Sequence, residues 1–154
     1  MIIFLAQVPE SHCFWPIDVK LNNKQLIKGR PRQYPEVKDK SVKPLSGKRW
    51  QLKLTEQEIK WNTIKLPLMS KSATKAVAIR VKEVIQQAYY RPGNEYWLLI
   101  EKYGRNQFKY YVSNAPANTS IKKLILWAHE RWKIEQGYQQ LKEELELDHF
   151  EGRS

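Results

Sequence analysis

A single cysteine, Cys13, in 154 residues leaves no partner for an intrachain disulfide and no basis for a cysteine-rich zinc site. Such a chain suits a reducing cytoplasm. Acids are also scarce: 16 Asp and Glu stand against 27 Lys and Arg, a formal charge of +11. That surplus points to a polyanionic partner, nucleic acid ahead of an anionic membrane surface. The apolar opening Ile2-Ile3-Phe4-Leu5-Ala6 is far shorter than the roughly 20 residues of a membrane helix, so no membrane span is expected. It also lacks the basic flank of a signal peptide. The three histidines, His12, His129 and His149, have no metal-ligand spacing and read as surface or packing residues. No Gly-x-Ser-x-Gly, phosphate-binding loop or dinucleotide fingerprint occurs, so those enzyme classes find no support.

What is present is enough for one domain with a core: 42% of residues are hydrophobic and 12% aromatic. Residues 2–8 read as a strand ending at Pro9. It has the uniform hydrophobicity of a parallel-type strand, which cannot bury both faces alone and so implies a larger sheet. Trp50-Gln51-Leu52-Lys53-Leu54 alternates apolar and polar like a half-buried strand, and residues 56–62 suit a short helix. Residues 77–84 read as a further strand. Tyr96–Ile100 and Phe108–Val112 flank Gly104-Arg105-Asn106, the pattern of a β-hairpin. Thr119 or Ser120 then caps a long helix running to about residue 146. The expected class is α+β.

The segment from Lys20 to Lys53 carries eleven Lys or Arg against two acids, and Pro31, Pro35 and Pro44 interrupt it. A proline-punctuated basic loop can follow a phosphate backbone, because such contacts need charge more than fixed geometry. Lys28, Arg30, Arg32, Lys48 and Arg49 are the candidate DNA contacts. A solvated loop explains the same segment equally well.

A helical wheel with Arg131 as its origin places Leu124, Trp127, Ile134, Tyr138 and Leu145 in one narrow sector around it. These form an apolar stripe. Glu135 and Lys142 fall in or beside the same sector, so with Arg131 three charges lie on or next to the stripe. Charge at a core edge is costly unless paired or bound to a metal or phosphate. An Arg131–Glu135 bridge at four-residue spacing satisfies that requirement; so does a role for Glu135 as an oxygen ligand of a divalent cation, with Arg131 and Lys142 on phosphates.

The stretch from Glu130 to Gln136, continuing through Lys142 to Ser154, resembles the C-terminal signature of bacterial insertion-sequence transposases of the DDE type. Their YREK pattern spaces Tyr, Arg, Glu and Lys so that Arg131, Glu135 and Lys142 match, while Ala128 stands at the Tyr position. Lys109–Pro116 resembles the approach to that helix, and Phe4–Pro9 the strand after the second catalytic aspartate. The resemblance implies a partial RNase H-like core: residues 1–9 as its last strand, 10–115 as a β-rich insertion, and 116–154 as the helix with its tail. It also implies two-metal phosphoryl transfer with Mg²⁺ or Mn²⁺. Glu135 would be the third carboxylate, and Arg131 and Lys142 would hold transposon-end phosphates. An aromatic of the insertion would hold a flipped base, at a position the sequence does not assign.

Asp18, Asp39 and Asp148 are the only aspartates, and none falls at the family's two catalytic positions. The expectation is therefore a truncated transposase, inactive alone, in a bacterial cytoplasm near the nucleoid. It would bind DNA, as a homodimer or with intact transposase. The alternative is a module that binds DNA or transposase and inhibits transposition.

Overall fold

A computed structural model describes residues 2–22, 35–65 and 74–130. The chain is α+β. Its sheet runs in the order β1 (Leu5–Val8), β7 (Gln107–Ser113), β6 (Arg91–Gly104), β5 (Thr74–Ile85), β2 (Cys13–Pro16), β3 (Leu45–Ser46), with β4 (Asn62–Ile64) also paired to β5. All of these pairings are antiparallel. Among the described residues two α-helices accompany it: α1 (Gly47–Glu56) and α2, residues 121–130. Among the described residues no helix is long and apolar enough to cross a membrane.

The run Leu98-Leu99-Ile100 explains how the layers form, since all three residues are fully buried. Successive residues of a strand point to opposite faces, so an unbroken apolar run needs cover on both. Leu98 and Ile100 pack with Phe14, Val77, Val81 and Tyr110 under Trp50 and Leu54 of α1. Leu99 packs with Ala76 and Tyr111 under Leu124, Ile125 and Ala128 of α2. One helix thus covers each face.

The β6–β7 hairpin forms where the sequence places it. Asn106 takes the left-handed conformation (φ 58°) at its turn. Residues 77–84 lie within β5, and of the strand expected at 2–8 only Leu5–Val8 forms, as β1, which pairs with β7 antiparallel rather than as a parallel-type strand. Ser120 caps α2: its Oγ accepts from the Lys123 amide at 3.2 Å.

Residues 50–54 are helical, contrary to the strand that their alternation suggests. The five-residue window hides the longer period: Gly47, Trp50, Gln51 and Leu54 are buried at helical spacing, while Leu52 is 49% exposed. Ser46 caps the start, its Oγ accepting from the Arg49 amide at 3.2 Å. The short helix expected at 56–62 does not form. Glu58 turns left-handed (φ 54°), the Ile59 amide donates back to the Leu54 carbonyl at 3.1 Å, and α1 closes there.

The apolar stripe of α2 is also displaced. Its buried residues are Leu124, Ile125 and Ala128, whereas Trp127, on the other side of Leu124 on the wheel, is only partly buried. The core-facing sector is thus rotated away from Trp127 and towards Ala128.

Candidate functional site

The basic surface starts with α1. Trp50 anchors its inner side by donating Nε1–H to the Phe14 carbonyl at 3.2 Å. Gly47 lets the helix start press onto the sheet: a Cβ there would lie 2.9 Å from the Tyr110 ring. With Trp50 and Leu54 turned inward, Lys48, Arg49 and Lys53 are left exposed. The Lys53 ammonium lies 5.2 Å from the Trp50 ring centroid. No acid occupies the first turn. Of the sequence-predicted contacts, Lys48 and Arg49 therefore share one exposed helical surface, and Lys53 joins them. Lys28, Arg30, Arg32, Arg131, Glu135 and Lys142 lie outside the described residues.

The corner between β5 and β6 presents two aromatics. Tyr89 and Tyr90 are 84% and 61% exposed and both are left-handed, with φ of 56° and 62°. Such a backbone costs roughly 1–2 kcal/mol per residue for a bulky side chain. Trp15 steadies it by donating Nε1–H to the Tyr90 carbonyl at 2.9 Å. The Arg91 guanidinium lies 5.7 Å from the Tyr89 ring and pairs with Glu36 at 2.9 Å. Lys40 and Lys43 border the same depression of about 210 Å³.

A buried polar cluster has no counterpart among the sequence expectations. Glu101 on β6 is 2% exposed. Its Oε2 accepts from the Thr74 hydroxyl at 2.6 Å and meets Nε2 of His129, on α2, at 2.7 Å. Burial pushes the Glu101 carboxyl up, but the hydrogen bonds from His129 and Thr74, with the charges of His129 and Lys109, outweigh it and hold it below the ordinary glutamate range. His129 thus packs against a buried carboxylate. The signal available in sequence is an acid directly after the apolar run 96–100, but its partner lies 28 residues away.

No family model, no curated protein and no solved structure matches the chain.

A depressed carboxyl contributes stability above its unfolded value, near pH 4, and loses it as pH falls through the folded value. Glu101→Gln keeps an acceptor oxygen and removes the charge. It is expected to cost about 1–2 kcal/mol at pH 7 by urea unfolding. That difference should shrink once the pH is below the folded value; an equal deficit at pH 7 and in strong acid would refute the assignment.

Among the described residues no group of three or more His, Cys, Asp or Glu could hold a metal ion. Asp18 is exposed, and Asp39 accepts hydrogen bonds from the Ser41 amide and hydroxyl at 2.9 and 2.6 Å. Ala128, at the tyrosine position of the YREK pattern, is 2% exposed within the α2-side core.

Proposed function

We propose that the chain is a C-terminal part of a DDE transposase, with an RNase H-like parent core, that binds DNA and needs two further carboxylates to cleave it. The spacing of Arg131, Glu135 and Lys142 carries the reading. The burial pattern of α2 supports it. If the spacing of about 100° per residue over 121–130 is carried forward along the sequence, Glu135 would point between the directions of Leu124 and Ala128, both buried. A carboxylate so directed would need a cation, and in this family that cation is a catalytic metal ion. Arg131 and Lys142 are its near neighbours on the same wheel, suited to phosphates of the bound end.

The exposed Lys48, Arg49 and Lys53 of α1 supply sequence-independent affinity. Among the described residues, Tyr89 and Tyr90 are the most exposed aromatics and are suited to stack on an unpaired base.

One carboxylate cannot assemble a two-metal site, so the chain by itself should leave transposon-end DNA intact in Mg²⁺ or Mn²⁺. A nicking assay checks this with Glu135→Ala alongside. Cutting by the unmutated chain and not by the variant would overturn the need for further carboxylates.

A further inference from the structure

We propose that Glu101, His129 and Thr74 form a charge-operated latch between the sheet and α2, closed while Glu101 is ionised. The pair bridges two layers: Glu101 belongs to the central strand β6 and His129 to the helix, with Nε2 and Oε2 2.7 Å apart. The apolar part of this docking is Leu124, Ile125 and Ala128, buried, with Ile121, Leu126 and Trp127 partly buried against the same cluster. Beyond Ala128, His129 is the described α2 side chain that reaches the sheet through a polar bond.

A polar pair with one side chain buried is a poor choice for strength alone, since an apolar pair of similar volume often docks as well or better. What a titratable pair adds is a response to protons. The groups facing Glu101 are Thr74 from β5, Lys109 from β7 and His129 from α2, and Tyr111 of β7 lines the depression beside Lys109 and His129. Its cross-strand neighbour on β5, Ala76, is apolar. Lys109 is a cation and the His129 ring N–H meets the carboxylate, so protonating Glu101 leaves both facing a neutral group. Protons have access, because Lys109, Tyr111, Ala128 and His129 line an open depression of about 210 Å³ at this junction.

Glu101 and His129 act as positioning residues. They fix the last described turn of α2, six residues before Glu135. That consequence for Glu135 rests on the proposed transposase reading; the latch itself does not.

Amide hydrogen exchange on the full chain, without DNA, tests it. Protection factors across 125–130 should fall at least about tenfold between pH 6 and pH 3.5, while those of Leu98–Ile100 stay within about threefold. In Glu101→Gln the α2 profile should be flat over that range. At pH 7 His129→Ala should lose about tenfold in protection, and His129→Gln, which keeps an N–H donor, should recover most of it. A wild-type acid profile retained by Glu101→Gln, or unchanged protection in His129→Ala, would overturn the latch. If Glu101→Gln unfolds globally, the sheet amides report it, and the His129 pair then decides. Failure of the transposase reading would leave all these results unaltered.

Discussion

Raising the salt from roughly 50 to roughly 200 mM is expected to weaken binding of the chain to duplex DNA by about 100-fold. The magnitude follows from counterion release: about four phosphate contacts give a log–log slope of about −3.6, and a fourfold rise in salt then costs about two decades. On the proposed DNA-binding reading, Lys48, Arg49 and Lys53 would supply three of those contacts, because α1 turns its apolar side to the sheet and leaves these cations in solvent. Replacing all three by alanine should lower affinity at low salt by about 10–100-fold and flatten the slope by about 2.7. The fold should survive, since none of the three is buried. Fluorescence anisotropy on labelled duplex across a salt series measures both quantities. An unchanged slope in the triple variant would move the DNA surface elsewhere on the chain.

Leu98→Ala should cost about 3–4 kcal/mol of stability. Leu98 is fully buried and packs with Phe14, Trp50, Leu54 and Val81, all fixed by other elements, so the cavity has little freedom to collapse. Against a typical domain stability of about 5–15 kcal/mol, that loss is a large fraction. Leu99→Ala should cost a similar amount through the opposite face, where α2 lies. Urea unfolding of the two variants distinguishes a sheet covered on both faces from one covered on one. A loss below about 1 kcal/mol at either position would mean that its helix is not docked there.

The sheet was partly legible in the sequence, and the reasons are local. The β6–β7 hairpin announces itself because turn residues and β-branched or aromatic runs lie within about 15 residues of each other. A strand over 77–84 is readable from its β-branched residues and partial alternation, and it lies within the longer Thr74–Ile85. Residues 50–54 misled because five residues sample both periods, and only Ser46 before them and Gly47 behind Trp50 separate helix from strand. The pairing of β1 with β7 is set by contacts more than 100 residues apart, which a local pattern cannot carry. The basic residues of α1 were legible as charge but not as a surface, because their grouping depends on the helix. Glu101 and His129 were invisible as a pair, since neither spacing nor motif links strand β6 to α2. The positions that carry the transposase resemblance, Arg131, Glu135 and Lys142, lie outside the described residues and rest on spacing and flanking sequence.

Glu135 as one of three metal-binding carboxylates of a DNA-cleaving core is open to a direct measurement. On the proposed reading, it is Mg²⁺-dependent cleavage of insertion-sequence end DNA by the chain joined to a segment that carries the two catalytic aspartates of a DDE transposase. The joined protein should nick the end. Glu135→Ala should then lower the rate by about 1,000-fold or more while leaving DNA affinity nearly intact. Cleavage that persists at the unmutated rate in Glu135→Ala would contradict a metal-binding role for this carboxylate.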